Sequence, residues 1–259
     1  MPTVQLSDAS LHYEIAGDGP PILLIAGLAS DSASWGPLPP LLPRHRLIMP
    51  DNRGSGRTRS DGPIAWVSLV DDLVAVLDHL GIGQTDVVGH SMGGYLGLAL
   101  SARHPNRVRR LVTMASGVMS PARGIMLRDM AKLYRLVAPE LWFRLLYQWL
   151  FSDAFFTDPA NVDAAAAAST AYPYRQLPDD FARQLAAIGT STPVDMAAIR
   201  CPVLAIAAEH DLLASADAVR LLHQGTPDLR TAVIAGAAHS LHWEAPSAVA
   251  AAINGFLEP

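Results

Sequence analysis

The chain has 259 residues, half of them hydrophobic, which favours one large α/β domain with a well-buried core over two separate domains. Its formal net charge of −5 comes from a sparse charged fraction without any Lys/Arg block, and Lys132 is the single lysine, so the basic footprint of a nucleic-acid-binding protein is excluded. No apolar run approaches the roughly 18 residues of a membrane span. The segment Met1 to Asp8 has neither the basic region nor the apolar core of a secretory signal, and a cytoplasmic protein is expected.

Taken in chain order, Leu11–Ala16, Ile22–Ala26 and Leu47–Met49 read as strands, short apolar runs bounded by Gly, Pro and polar residues. Val67 to Leu80 follows as an amphipathic helix, with Val70, Leu73, Val74, Leu77 and Leu80 at steps of three and four and Gly81 as its stop. Thr85–Val88 is again a strand, Gly94 to His104 a helix apolar nearly all round and ended by Pro105, and Val108–Met114 a further strand. From about 118 to 199 the alternation stops. That stretch is helical throughout, divided by Pro121, Pro139, Pro159, Pro173, Pro178 and Pro193, with Trp142, Phe143, Leu145, Leu146, Trp149 and Leu150 crowded together. Strands resume at Val203–Ala207 and Thr231–Ala235, and Pro246 to Phe256 is a last helix with proline in its first turn. Alternating strands and amphipathic helices define an α/β fold with a mainly parallel central sheet and helices on both faces. Cys201 is the only cysteine, so no intramolecular disulfide can form, and its place before Pro202 at the start of an apolar strand suits a buried thiol without function.

The most informative run is Val87-Val88-Gly89-His90-Ser91-Met92-Gly93-Gly94. A strand leads into Gly-X-Ser-X-Gly and then into a helix, the context in which a serine sits on a turn tight enough to project its Oγ from the sheet edge. Gly89 and Gly93 flank the serine because such a turn brings backbone against backbone. From this point the chain resembles the α/β-hydrolase family nearly end to end. Ile22-Leu23-Leu24-Ile25-Ala26-Gly27-Leu28 and Trp35 look like its oxyanion strand and loop, with Ala26 where a histidine commonly precedes the glycine. Met49-Pro50-Asp51-Asn52-Arg53-Gly54-Ser55-Gly56-Arg57-Thr58 looks like its Asp-x-Arg-Gly-x-Gly-x-Ser turn. Cys201 to Asp211 looks like the strand and loop delivering the acid, and Ile234 to Pro246 like the loop delivering the histidine.

The resemblance implies roles. A serine hydroxyl is a weak nucleophile at neutral pH and needs a base, which in turn needs an orienting carboxylate. Ser91 is the expected nucleophile, His239 the base and Asp211 the acid, in the chain order serine, acid, histidine. Glu209 and Asp217 are the alternative acids, while Ala115-Ser116-Gly117, at the other place the fold sometimes uses, offers no carboxylate. His90 should point away from the nucleophile, and His239 with His242 lacks the third ligand and spacing of a metal site, so no metal is expected. The backbone N–H groups of Leu28 and Met92 are the expected oxyanion donors. Asp51, Arg53, Gly54 and Gly56 read as a structural turn holding a buried or half-buried ion pair. Gly54-Ser55-Gly56 lacks the third glycine and helix start of a dinucleotide fingerprint, so no cofactor is expected.

The insertion at about 118–199 stands where the family places its helical cap, within a single domain spanning 1–259. Trp142, Phe143 and Trp149 are the expected substrate-binding residues, in an apolar cap that also carries Phe151, Phe155 and Phe156. The function expected is a serine esterase or lactonase acting through an acyl-enzyme on small to medium apolar substrates, closest in type to small carboxylesterases and enol-lactonases. Its partner is then a small-molecule ester or lactone, with no nucleic acid and no membrane. Fold and triad do not select the substrate. A polar enol-lactone-type site using Arg123, Arg128 or Arg175, thioesterase, carbon–carbon hydrolase or perhydrolase chemistry, and a slow-turnover ligand receptor stay open, as does the oligomeric state.

Overall fold

A computed structural model describes residues 2–258. Among the described residues, nine strands form one sheet: β1 (Thr3–Gln5), β2 (Ala9–Ala16), β3 (Pro21–Ile25), β4 (Arg46–Pro50), β5 (Arg59–Ser60), β6 (Thr85–His90), β7 (Val108–Met114), β8 (Val203–Ala208) and β9 (Leu229–Ile234). Their order is β1-β2-β4-β3-β6-β7-β8-β9, with β5 beside β2. β4 through β9 run parallel along this path, and β1, β2 and β5 pair antiparallel at one end. The strands read from the sequence all form. β1 and β5 are additional, and at three and two residues they are too short to show an alternation.

Period-two alternation distributes β3 between two cores. Leu23 and Ile25 face one side with α1 (Trp66–His79) and α2 (Met92–Arg103), whereas Ile22 and Leu24 face the other with Trp35 and α9 (Pro246–Leu257). All four side chains are fully buried. α2 starts two residues before the position its apolar pattern suggests, because Gly93 and Gly94 are drawn into the first turn. A Cβ on Gly93 would stand 1.9 Å from the Ile25 carbonyl oxygen, and no larger residue fits between the helix and β3.

Between β7 and β8 the chain forms α3 (Pro121–Leu133), α4 (Pro139–Leu150), α5 (Pro159–Ala171) and α6 (Pro178–Gly189). Each opens with proline in its first turn, where the missing N–H breaks no intrahelical bond. These helices hold their own core: Trp142 stacks on Tyr134 at 3.7 Å between ring centres, and Phe143 and Phe181 meet the pair edge-on. α7 (Ala216–Leu222) and α8 (Leu241–Glu244) complete the α-helices among the described residues.

Candidate active site

The carboxyl ends of β3, β6, β8 and β9 converge on one cavity. It lies where β4 and β6 flank β3 and the strand order reverses, the place where open parallel sheets bind ligands. β6 delivers Ser91, whose φ of 52° and ψ of −116° lie outside the helical and extended regions, a strain of about 1–3 kcal/mol held by its surroundings. The Ser91 N–H donates to the Met114 carbonyl at 2.8 Å, and the Ser91 carbonyl accepts from Ser116 Oγ at 2.9 Å. Beyond β9, the loop Ala235–Ser240 brings His239 Nε2 to 2.9 Å from Ser91 Oγ. Beyond β8, Asp211 meets His239 Nδ1 at 2.9 Å through Oδ2 and 3.1 Å through Oδ1. An ionised carboxylate only accepts, so Nδ1 carries the proton and Nε2 is free to accept from the serine.

Asp211 is itself fixed, since its Oδ1 takes the N–H groups of Leu213 at 2.7 Å and Ala214 at 2.8 Å. Burial works to raise its pKa. The adjacent His239 and these N–H donors outweigh burial and hold the carboxyl below its usual range. The alternative acids are elsewhere: Glu209 accepts the Gly236 N–H and Asp217 pairs with Arg220 at the surface. His90 donates through Nε2 to the His239 carbonyl at 2.8 Å and packs against the His239 and His242 rings at 5.0 and 4.6 Å. Burial lowers the pKa of His90 far below the usual imidazole range and that of His242 to about 4, so both remain neutral supports of the His239 loop.

Met92 opens α2, so its N–H belongs to the four that a helix start leaves without an intrahelical acceptor, at the positive end of the helix dipole. Leu28 follows β3, and both residues line the cavity with Ser91 and His239. The Ala26 carbonyl accepts from Asn52 Nδ2 at 3.0 Å, so an asparagine of the β4 turn braces this loop where a histidine commonly stands.

The ion pair expected within the Asp51–Thr58 turn is not formed by Asp51 and Arg53. Asp51 accepts the N–H groups of Ser32 and Arg57, both at 2.8 Å, because these turns leave them without other acceptors. Arg53 instead reaches α1, forking onto both oxygens of Asp72 at 2.6 and 2.8 Å, and it also pairs with Asp8 at 2.6 Å. Asp31, buried beside Asp51, is pushed up to about 6 by desolvation and by that neighbouring charge, against the hydrogen bond it accepts from Tyr172 at 2.9 Å.

The cavity measures about 1560 Å³, and its wall is mostly apolar, with Leu127, Phe143, Leu146, Tyr147, Phe151 and Phe155 prominent. Trp142 touches it from the insertion's core, where its Nε1 donates to the Met130 carbonyl. Trp149 does not line it, contrary to the sequence expectation, and neither does Phe156. Trp142, Phe143, Leu146, Tyr147 and Leu150 reach the cavity from α4, and Trp149, three past Leu146 and seven past Trp142, lies half-buried at the edge of that same helix face, so tertiary packing and not the helical period keeps it from the wall. Among the three arginines considered, Arg175 lines the wall half-buried, Arg128 lines it exposed, and Arg123 is engaged with the Leu212 carbonyl at 2.7 Å.

Sequence reasoning missed the residues joining the insertion to the core: Gln176, Gln184, Tyr172, Ser152 and Glu244. Glu244 accepts from the Ser152 N–H and Oγ with one oxygen and from the Ala238 N–H with the other, next to His239. Nothing in local periodicity marks such residues.

This arrangement of strand-end loops around a serine, a histidine and an aspartate defines a hydrolase class. Residues 20–246 match the alpha/beta hydrolase fold, and the chain belongs to that family. It is 32% identical over 267 residues to a protein of Azorhizobium caulinodans provisionally named carbamate hydrolase RutD, covering 99% of this chain and 98% of the other. A 2-hydroxymuconate semialdehyde hydrolase of Pseudomonas putida is 42% identical over 125 residues, 43% of this chain and 41% of that one. Among solved structures, the enol-lactonase from Burkholderia xenovorans LB400 superposes with a TM-score of 0.87 at 25% identity, with both chains covered in full. No helix among the described residues is long and apolar enough to cross a membrane.

Proposed function

We propose that this protein is a serine hydrolase that cleaves carboxylic esters or lactones through an acyl-enzyme. The observation that carries the reading is the unbroken chain of hydrogen bonds from Ser91 through His239 to Asp211, opening on an apolar cavity. Ser91 Oγ attacks the carbonyl carbon while His239 Nε2 takes its proton, and the carbonyl oxygen becomes an oxyanion held by the N–H groups of Leu28 and Met92. The C–O bond to the leaving alcohol then breaks, and His239 returns the proton to that alcohol. Water, deprotonated by His239, repeats the sequence on the acyl-enzyme and releases the acid. Asp211 keeps the imidazole in the required tautomer throughout. The helices between β7 and β8 act as a cap whose wall excludes bulk water and sorts substrates by apolar fit.

Carbamate cleavage is the second reading, supported by the end-to-end similarity to the RutD-named relative. The cavity favours the first: about 1560 Å³ with a mostly apolar wall suits a substrate much larger than a small carbamate. Esters of graded chain length, lactones and carbamates assayed side by side distinguish the two. A serine-directed phosphonate is expected to label Ser91 alone, and Ser91→Ala to abolish both turnover and labelling with the melting temperature nearly unchanged. An adduct mapped to another residue, or wild-type turnover by the alanine variant, overturns the assignment.

A further inference from the structure

The loop carrying the Leu28 N–H is pressed against the nucleophile: a Cβ on Gly27 would lie 3.2 Å from both the His90 carbonyl oxygen and Ser91 Cβ. Its peptide groups are gripped on either side of that N–H. Before it, the Ala26 carbonyl accepts from Asn52 Nδ2. After it, the Ala29 N–H donates to Oε1 of Gln176, which belongs to the insertion, at 3.1 Å, and Ala29 is held at a φ of 61°, a conformation an alanine does not choose unaided.

The Gln176 amide has no freedom to turn over. Its Nε2 donates to the Gly54 carbonyl at 2.7 Å and to Gln184 Oε1 at 2.8 Å, acceptors that require the nitrogen there and leave the oxygen facing Ala29. Gln184, fully buried on α6, is oriented in turn by donating to the Arg53 carbonyl at 2.6 Å and to Ser55 Oγ at 2.9 Å. Tyr134, just past α3, donates its hydroxyl to the Gln176 carbonyl at 2.8 Å, fixing the main chain from which the amide extends. A relay of buried amides with every polar end satisfied therefore runs from the insertion to the loop beside Ser91.

We infer that Gln176 is a positioning residue for the oxyanion loop, so that seating the insertion and aligning the Leu28 N–H are one event. The inference rests on the serine-hydrolase reading. Gln176 touches no reacting atom in this scheme; it acts through the Leu28–Ala29 peptide.

The test is Gln176→Met, similar in length and unable to accept from Ala29, assayed on a short p-nitrophenyl ester and on the matching thionoester. Removing an oxyanion donor outright costs about 100- to 1000-fold in kcat. Loosening one is expected to cost about 10- to 100-fold, with KM changed less than threefold. The oxygen-over-sulfur preference should fall by a similar factor, because a slack oxyanion site accommodates the larger sulfur; a residue that merely stabilises the fold would leave that ratio alone. Gln184→Met, which keeps the Ala29 bond but frees the Gln176 amide, should shift both readouts the same way by less, and it carries the test if Gln176→Met does not fold. Unchanged kcat and preference in the folded variant, or a raised KM alone, overturn the inference while wild-type turnover and Ser91 labelling leave the hydrolase reading standing. A wild type inert to esters, with Ser91 unlabelled, overturns that reading and this inference with it.

Discussion

Replacing Asp211 by asparagine gives an outcome that the hydrogen bonds around the residue dictate. Asp211 Oδ1 is tied to two backbone donors, the N–H groups of Leu213 and Ala214. An asparagine must put its oxygen there, since its NH₂ group cannot accept from either. The NH₂ is then forced toward His239 Nδ1 and donates to it, which moves the imidazole proton to Nε2, facing Ser91 Oγ. The base is thereby presented with its proton on the wrong nitrogen. In the serine protease triad the same exchange costs on the order of 10⁴ in kcat, about 5.4 kcal/mol at 1.36 kcal/mol per tenfold. A comparable loss is expected in steady-state hydrolysis of a short ester, with the two backbone bonds kept and the melting temperature little changed. Glu209→Gln and Asp217→Asn should stay within about twofold of wild type, as the groups they alter lie at the surface. Retention of more than a tenth of the activity by Asp211→Asn would refute the tautomer argument, and abolition by either surface variant would move the acid.

Two further outcomes follow from the cavity and the buried carboxyl beside it. Against linear acyl esters, kcat/KM should rise by up to about fourfold for each added methylene, the equivalent of about 0.8 kcal/mol, until the wall is met; a flat profile or a strong preference for a dicarboxylate contradicts an apolar site and directs attention to Arg175. Asp31→Asn should stabilise the protein more at pH 8 than at pH 4.5. Raised from its usual 3.8 to about 6, the Asp31 carboxyl contributes stability that is whole below 3.8 and is lost as pH rises through about 6, about 3 kcal/mol in all. Urea unfolding of both proteins at the two pH values measures the difference, and an equal shift at both would contradict the sign.

The parts of this molecule legible in its sequence are those whose cause is local. A parallel strand buried on both faces needs an apolar run such as Ile22–Ile25, and a serine at a backbone crossing needs Gly89 and Gly93, so β3, β6 and the turn between β6 and α2 are written in neighbouring residues. The pairing of His239 with Asp211 spans 28 positions and that with Ser91 spans 148, yet each residue ends a recognisable strand-to-loop passage, and a parallel sheet brings such ends together. The cavity wall is different in kind. Trp149 and Phe143 share one helix and one apolar character, and only the packing of α4 against its neighbours decides which faces the cavity. The Gln176–Gln184 pair lies further still from local legibility. A glutamine in a proline-rich joint and one on an amphipathic helix are ordinary surface residues by composition, and their burial follows from acceptors 122 and 131 positions away. Sequence pattern thus locates Ser91, Asp211 and His239, each at a strand-to-loop passage, while the contacts that couple the insertion to their loops arise only where two layers of the structure meet. Buried polar groups are costly unless every end is paired, and that requirement fixes the junction between layers, where Gln176 and Gln184 each have both ends of the amide hydrogen-bonded.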